Sequence, residues 1–497
     1  MDEIRVTYSG LISLVLGILS LIIGLGFNLI VTRNLSEIEY GTWGIIGGII
    51  VYATIIEPII TFWTTREIAR NIESGKTAIF SGLIFSCIGL IIYFAAAVIL
   101  SNSTEANQEI VVLGIILVPL MIVNKILSSI TLGWKPQGVS YGQVVFGITQ
   151  LVLGVLFVLL LKMSTAGVIF AVAISTLASI IYLIIYNRKK LNGSIKKEFL
   201  KKWMKFSWVS LYPNIGQTIM NLDIMIFSII TGSVIGISYW TATMIIVSIS
   251  SSSQLISRAT YSKLLQGGDK SFIQENIRLL IYFTVLFTGI TITFAEHGLF
   301  LLNPIYSSAT LIVIIMSVCN FFRIITTNLQ IFVTGIDKVD MDEKSSALNY
   351  FKSSLINIPT IQLIQSISYI VLLSIVLLIT ISPNNTDLGL LLYWAIIGLI
   401  IQIPITIYSI FIFQKKIHLE NNLKDILKYI FAAVVTFSII YIIMDDVIEF
   451  NTEIVKFLPQ VLLFIISSIS MYIGITYVMD KKTRILVNAI KTFIVNK

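Results

Sequence analysis

The chain has 497 residues, of which 56% are hydrophobic and only 12% are charged. Its mean hydropathy of +0.93 leaves no polar stretch that could form a separate soluble domain, so continuous hydropathy overrides the three soluble domains that length alone would suggest. The net charge of +8 comes mainly from short loops between apolar runs, which excludes nucleic acid as a partner.

Apolar stretches follow one another along the whole chain. An apolar helix of about 20 residues spans the hydrocarbon core of a bilayer, which is about 30 Å thick. We therefore predict an all-α membrane protein with about fourteen transmembrane helices. The predicted spans cover residues 8–33, 41–65, 77–101, 109–132, 139–161, 165–187, 206–231, 235–257, 276–297, 308–335, 357–380, 387–413, 425–445 and 455–480.

The loops between these spans alternate between rich in Lys and Arg and nearly free of them. Cytoplasmic loops collect Lys and Arg, so this alternation places both termini in the cytoplasm. With that orientation only Arg33, Lys162 and Lys456 lie at outer ends. The chain is expected to be a multi-pass protein of the cell (cytoplasmic) membrane, and its basic loop 188–205 is expected to contact anionic membrane lipids.

The ends of the spans repeat along the chain. Asn28 precedes Gly41 by 13 residues near the end of the first span, and Asp223 precedes Gly236 by the same 13 residues near the end of the seventh. Further pairs at similar offsets are Arg66–Gly75 with Arg258–Gly267, and Gly133 with Gly335.

Each copy of this repeat covers six spans, an even number, so both copies enter the membrane in the same direction. We predict two pseudo-symmetric six-helix lobes, residues 1–190 and 191–413, with a cavity between them. Residues 414–497 form an additional helix pair and a basic cytoplasmic tail.

Four ionisable residues lie well inside predicted spans: Glu57, Lys125, Asp223 and Arg323. Lys, Arg and Asp each cost about 2.5–3.5 kcal/mol at the centre of an inserted helix, so such residues must face water, a partner or a substrate. Lys125 and Arg323 lie at nearly equivalent places in the two copies of the repeat. This position suits an anionic group, which Arg binds bidentately and Lys as a point charge.

Each of three charges also has a purely structural interpretation. Lys125 could extend to the cytoplasmic interface, because its long side chain allows it. Glu57 precedes Pro58 and could simply belong to a kink. Asp223 could neutralise a cation in a structural pair. Arg323, the most central of the four, has the weakest structural explanation.

Amide side chains accompany the charges and suit the hydroxyl groups of a sugar. Asn214, Gln217 and Asn221 form one stripe on the seventh span, and Asn28 lies on the first. The predicted substrate-binding residues are therefore Arg323, Lys125, Asp223, Glu57, Asn28, Asn214, Gln217 and Asn221.

The chain lacks the residue patterns of an enzyme. Two separated His and two Cys inside apolar spans cannot form a metal site, so no metal or other cofactor is expected. Glu37 and Glu39 are the only acidic pair that could serve a membrane glycosyltransferase.

Short motifs carry a resemblance to a known family. Residues 32–43 (TRNLSEIEYGTW) resemble the stretch after the first helix of Wzx-like polysaccharide flippases, members of the multidrug/oligosaccharidyl-lipid/polysaccharide exporter (MOP) superfamily. Residues 65–70 (TREIAR) and 222–239 are similar to the elements that close helix two and join helices seven and eight. Residues 166–171 are similar to the opening of helix six, with Phe170 in place of a glycine. The charged loop 336–356 is longer than the family's usual connection.

This resemblance implies a fold like that of MATE and MurJ proteins and an alternating-access mechanism. The cargo would be a lipid-linked oligosaccharide, a polyprenyl phosphate or pyrophosphate glycan, moved from the cytoplasmic to the outer leaflet for surface polysaccharide synthesis or protein glycosylation. Arg33 and Arg66, at motif positions, would lie near opposite cavity mouths as gates. A monomer is expected, with glycan biosynthesis enzymes as further partners.

Two other functions stay open from the sequence. A cation-coupled multidrug exporter of the same superfamily would use Glu57 and Asp223 as coupling acids. A polyprenol-linked membrane glycosyltransferase would require Glu37 and Glu39.

Overall fold

The computed structural model describes residues 6–256, 270–336, 353–382, 385–417, 423–485 and 488. Helices dominate these residues, and none of them forms a strand. An apolar chain of this composition favours helices because a helix satisfies every backbone donor and acceptor within its own segment. The second copy of the Arg66–Gly75 match, at 258 and 267, and residues 337–352 of the charged loop lie outside the described residues.

The helices follow one another with short connections. The first twelve are α1 (Val6–Asn34), α2 (Glu37–Ala53), α3 (Pro58–Ala69), α4 (Gly75–Ser103), α5 (Gln108–Leu113), α6 (Leu117–Trp134), α7 (Gln137–Gly154), α8 (Ser164–Asn187), α9 (Lys197–Lys205), α10 (Ser207–Met220), α11 (Asp223–Thr231) and α12 (Val234–Ser251). They continue with α13 (Lys270–Thr293), α14 (Ala295–Leu302), α15 (Thr310–Ile336), α16 (Ser354–Thr380), α17 (Asp387–Lys416), α18 (Leu423–Val447) and α19 (Ile454–Met479).

Within the described residues, eleven helical segments are long and apolar enough to cross a membrane, or twelve if the bent pair α2–α3 counts as one span. The apolar stretch Leu19–Asn34 of α1 is shorter than these eleven segments. The predicted multi-pass membrane architecture is therefore confirmed. The number of fourteen, the two lobes and the orientation stay predictions.

The chain divides into two compact units. Unit 1 comprises Met1–Ala242 and Asp337–Ile401, and unit 2 comprises Thr243–Ile336 and Gln402–Lys497. This division groups residues that contact one another, whereas the predicted lobes 1–190 and 191–413 follow from the sequence repeat. The two lobes and their boundaries therefore stay a prediction.

Two of the predicted spans in unit 1 are broken. The axes of α2 and α3 differ by 64° across residues 54–57, and Pro58 opens α3. Proline removes a backbone donor and clashes with the preceding turn, which explains the break. The seventh predicted span is divided into α10 and α11 at residues 221–222, and Gly232, with φ of +70°, ends α11.

In unit 2 the last two helices share a core with α13. Tyr282 of α13 packs edge-on against Tyr429 of α18 and is tilted against Tyr472 of α19. At one end of this core the buried Arg278 pairs with Asp480 at 3.4 Å, and the Tyr429 hydroxyl donates to Asp480 at 2.9 Å. The C-terminal helix pair is thus an integral part of unit 2.

Candidate functional site: charged groups at membrane depth

The break between α2 and α3 brings together two of the predicted site residues. The Lys125 ammonium of α6 lies 3.4 Å from Glu57 Oε2 and donates to the Thr54 hydroxyl at 3.3 Å. The Glu57 side chain is 13% exposed and that of Lys125 is 48% exposed. Lys125 therefore reaches the carboxylate at the kink, so its positive charge is balanced inside unit 1.

Helix geometry explains why these charges meet at the break. Thr54 follows the C-terminus of α2, where unpaired carbonyl groups attract a cation, and Glu57 precedes the N-terminus of α3, where unpaired N–H groups attract an anion. Gly89 of α4 permits the close packing here, because a Cβ at this position would lie 2.6 Å from the Ala53 carbonyl oxygen. Discontinuous helices of this kind form charge-binding sites in transporters.

Asp223 occupies the equivalent electrostatic position at the second break. It is the first residue of α11, and its Oδ1 accepts a hydrogen bond from the Ile224 backbone N–H at 2.8 Å. The Tyr369 hydroxyl of α16 donates to Asp223 Oδ2 at 3.0 Å, and Trp394 Nε1 of α17 donates to the same hydroxyl at 2.6 Å. The Trp394 ring stacks on Trp240, with centroids 3.8 Å apart. Each carboxylate oxygen of Asp223 thus accepts at least one hydrogen bond from the protein.

The predicted amide stripe is bonded largely to its own helices. Asn28 Nδ2 donates to the Gly24 carbonyl at 2.9 Å, and Asn214 Nδ2 donates to the Ser210 carbonyl at 2.8 Å. The Gln217 amide donates to Asn221 Oδ1 at 2.9 Å. The side chains of Asn214 and Gln217 are nevertheless exposed, so hydrogen-bonding groups remain accessible along α10.

Arg323 has a different environment in the middle of the unbroken helix α15 of unit 2. It forms no ion pair with any residue in the described part of the chain, and its Nε is buried without a hydrogen-bond partner. The buried Cys319 thiol, one turn earlier, contacts the guanidinium. The residue itself is partly exposed, so the guanidinium is a positive group at membrane depth without a counter-charge among the residues described.

The polar residues that accompany Arg323 divide between two sides of α15. Thr326 donates to the Thr406 hydroxyl of α17 at 2.9 Å, and Gln330 donates to the Ser409 hydroxyl at 3.1 Å. These two residues are buried and connect helices of unit 2. Thr327 is partly exposed, one turn after Arg323 on the same side. The polar residues near Arg323 therefore lie on two sides of α15, one packed against α17 and one accessible.

The two predicted gate residues lie at helix ends. Arg33 is in the last turn of α1, and Arg66 is in the last turn of α3, with its guanidinium 4.2 Å from the centre of the Phe62 ring. Each residue is partly exposed. The structure thus places both at ends of helices, and the gating role stays a prediction.

Sequence reasoning missed a buried carboxylate next to Arg66. Glu67 is 3% exposed, and its Oε1 accepts hydrogen bonds from Lys202 at 3.0 Å and from Trp203 Nε1 at 3.4 Å. Both donors belong to α9, whose opposite side carries exposed lysines. The available signal was spacing, because Glu67 follows the polar residue Thr64 by three residues and so lies on the same side of the helix.

One residue of the acidic pair Glu37 and Glu39, which a glycosyltransferase would require, has a structural role. Glu39 completes the capping box at the start of α2, accepting from the Ser36 N–H at 2.8 Å, and it also bonds the Ser164 hydroxyl. No group of three or more His, Cys, Asp or Glu that could hold a metal ion occurs in the described ranges.

Comparison with known proteins adds to this geometry. No family model matches the chain, and no curated protein matches it. Twenty-one solved chains match. One is an inward-facing multidrug resistance MATE family transporter of the MOP superfamily, with a TM-score of 0.56 and 13% identity over 82% of this chain and 98% of that one.

Two further matches are similar in extent. A MATE structure in complex with MaL6 has a TM-score of 0.56 and 14% identity over 82% of this chain and 96% of that one. A MOP superfamily transporter from Pyrococcus furiosus, described as having a binding pocket of reverse polarity that suggests a different function, has a TM-score of 0.51 and 14% identity over 82% of this chain and 95% of that one.

At these identities the comparisons establish the fold. The chain has a MATE-like fold, as found in membrane transporters of the MOP superfamily. The fold therefore agrees with the MATE-like fold that the short sequence motifs imply, and the Wzx-like subtype stays a prediction.

Proposed function

We propose that the protein translocates a lipid-linked oligosaccharide from the cytoplasmic to the outer leaflet by alternating access, with both termini in the cytoplasm. The cargo is a glycan on polyprenyl phosphate or pyrophosphate. Arg323 binds its phosphate oxygens, and exposed amides such as Asn214 and Gln217 bind its hydroxyl groups. The polyprenyl tail stays in lipid.

The observation that carries this proposal is the absence of a counter-charge for Arg323 among the residues the structure describes. A charged group at membrane depth must be compensated by water, by a partner or by a substrate. A phosphate supplies both the negative charge and the acceptor that the buried Nε lacks. Lys125, by contrast, already has Glu57 as its counter-ion.

The balance of charge supports an anionic cargo over a cationic one. Both membrane carboxylates, Glu57 and Asp223, already accept hydrogen bonds or ion pairs from protein groups. Variation of pocket polarity within this fold is also known, since the Pyrococcus furiosus transporter is described as having a pocket of reverse polarity.

The test is a flipping assay with purified protein in proteoliposomes. The probe is a short-chain polyprenyl pyrophosphate glycan with a nitrobenzoxadiazole label on its head group, and dithionite bleaches only label exposed outside. Loss of a charged hydrogen bond costs about 1.5–3 kcal/mol, so Arg323→Ala should slow flipping by about tenfold or more. Arg323→Lys should retain part of the rate, since Lys lacks the bidentate geometry.

Arg484→Ala serves as the matched control, because Arg484 is exposed at the end of unit 2. It should flip at the wild-type rate. Normal flipping by a stably inserted Arg323→Ala variant would sink the phosphate-binding role. Absence of flipping by the wild type would overturn the proposed function itself.

One observation favours a second candidate, a cation-coupled multidrug exporter. Asp223 is a carboxylate at a helix break, the kind of position where discontinuous helices bind coupling ions in transporters, so this alternative assigns it the proton or Na⁺. Under this alternative the wild type should export ethidium from proteoliposomes in response to a proton or Na⁺ gradient. Asp223→Asn should abolish that export.

A further inference from the structure

An open cleft of about 570 Å³ lies in unit 1, at a place that none of the predicted substrate-binding residues occupies. Two helices end beside it, α4 near Ser103 and α11 at Thr231, and two begin there, α12 at Val234 and α17 at Asp387. The predicted orientation places these helix ends on the outer side of the membrane.

One wall of the cleft is held by a chain of hydrogen bonds. The Ser233 hydroxyl donates to Asp387 Oδ2 at 2.7 Å and accepts from the Gly236 N–H at 2.9 Å. The Ser233 N–H donates to the Thr231 hydroxyl at 3.1 Å. This arrangement joins the N-termini of α12 and α17, and it fixes the orientation of the Asp387 carboxylate.

The remaining polar groups of the cleft are open. Asn102 and Glu105 are exposed, and their side chains bond to no other residue in the described part of the chain. Asp387 Oδ1 likewise has no partner there, since only Oδ2 receives the Ser233 hydroxyl. The cleft therefore offers two carboxylates and one amide to a ligand. The Asp387 carboxylate is the one whose orientation is fixed.

The chemistry of the lining selects the class of ligand. Among the described residues that line the cleft there is no Lys, Arg or His, so a phosphate or an acidic sugar would meet only negative charge. There is also no aromatic ring, so stacking contributes nothing. Carboxylates and amides accept hydrogen bonds from neighbouring hydroxyl groups, which suits a neutral, hydroxyl-rich saccharide.

We propose that this cleft is a binding site for the uncharged saccharide part of the cargo, with Glu105, Asp387 and Asn102 as its hydrogen-bonding residues. The proposal deepens the proposed function and rests on it, because the saccharide is the head group of the proposed cargo. Hydrogen bonds to an open, hydrated site exchange with water and contribute little net free energy, so the site binds weakly, as release on the outer side requires.

The test uses the full-length protein in lipid nanodiscs, without glycoside detergents. Saturation-transfer NMR is recorded with the methyl glycosides of glucose, galactose, rhamnose and N-acetylglucosamine. The wild type should transfer saturation to at least one of them. The double variant Glu105→Gln/Asp387→Asn should lose most of that signal, and Glu109→Gln, an exposed glutamate outside the cleft, should keep it.

Asn102→Leu provides a second variant, since it leaves the Ser233–Asp387 bond intact and tests the cleft even if the double variant fails to fold. Equal signals in folded variants and wild type, or no transfer to any glycoside, would overturn the proposal. So would terbium luminescence that depends on Glu105 and Asp387 while no glycoside binds, because the cleft would then be a cation site.

Binding of glycosides requires neither a lipid tail nor transport, so the two proposals fail separately. A wild-type protein that flips the labelled lipid but binds no glycoside contradicts the cleft alone. One that binds glycosides but does not flip contradicts the proposed function.

Discussion

The two compact units treat charge at membrane depth in opposite ways. In unit 1 the carboxylates of Glu57 and Asp223 lie at helix breaks, and protein groups satisfy both. In unit 2 Arg323 lies on the continuous helix α15 and has no counter-ion within the ranges described. A broken helix supplies unpaired backbone groups that stabilise a charge, whereas an intact helix supplies none.

This difference separates structural charge from charge that is available to a ligand. Unit 2 also contains the opposite case, because Arg278 is 3% exposed at its side chain and is paired with Glu275 and Asp480. The two arginines of one unit therefore make a direct comparison between a guanidinium that holds the fold and one that we propose binds the cargo.

The largest expected effect on stability distinguishes these two arginines. Arg278→Ala leaves Asp480 buried without its cation, and breaking such a pair costs about 3–5 kcal/mol. Arg323→Ala removes an uncompensated charge and should leave the free energy of unfolding within about 1 kcal/mol of wild type. Denaturant unfolding in detergent measures both. Equal destabilisation by the two variants would contradict the comparison.

The shape of the first break can be tested next. An alanine at position 89 would place its Cβ 2.6 Å from the Ala53 carbonyl oxygen, so α4 or the break must move. We expect Gly89→Ala to lower the free energy of unfolding by about 1–3 kcal/mol, as overpacked cores do. Gly47→Ala is the control, because no atom lies within 4 Å of its Cβ position. A neutral Gly89→Ala would show that the break is more adaptable than the packing implies.

The second break depends on a phenol. Tyr369→Phe removes the donor to Asp223 and the acceptor of the buried Trp394 indole N–H. Leaving a buried donor unsatisfied costs about 1–3 kcal/mol, and Trp394 fluorescence should also change. Tyr212→Phe should have less effect, because its partner Thr360 retains its bond to the Ile356 carbonyl. Equal losses in the two variants would argue against a special role for Tyr369.

The smallest expected effect is the coupling between Glu57 and Lys125. Since the Lys125 side chain is 48% exposed, solvent screens the pair, and a double-mutant cycle with Glu57→Gln and Lys125→Met should give a coupling of about 1 kcal/mol or less. The charge-swapped variant Glu57→Lys/Lys125→Glu should be less stable than the wild type. The swap places a cation at the N-terminus of α3 and an anion near the C-terminus of α2, so it opposes both helix dipoles. A fully stable swap would remove the dipole argument.

Several features of the site could be predicted from the sequence. Hydropathy indicated the membrane helices, and the Pro58 kink followed from the lack of a backbone donor in proline. Glu57, Lys125, Asp223 and Arg323 were recognisable because charge is expensive in an apolar segment. Glu67, just beyond the end of the predicted span 41–65, did not stand out, since its burial and its bonds to Lys202 and Trp203 come from tertiary packing.

The sequence by itself determined that this is a helical multi-pass membrane protein. The length and apolar composition of a segment decide whether it can enter a bilayer, and a segment in the bilayer must satisfy its backbone groups as a helix. Tertiary structure alone decided which charges are compensated. Lys125 and Glu57 are 68 positions apart, and Tyr369 is 146 residues from Asp223. Contacts at such separations depend on how helices pack, and one sequence without its fold carries no record of that packing. The same packing left Arg323 without a counter-ion among the residues described, and this is the observation on which the proposed binding of an anionic cargo rests.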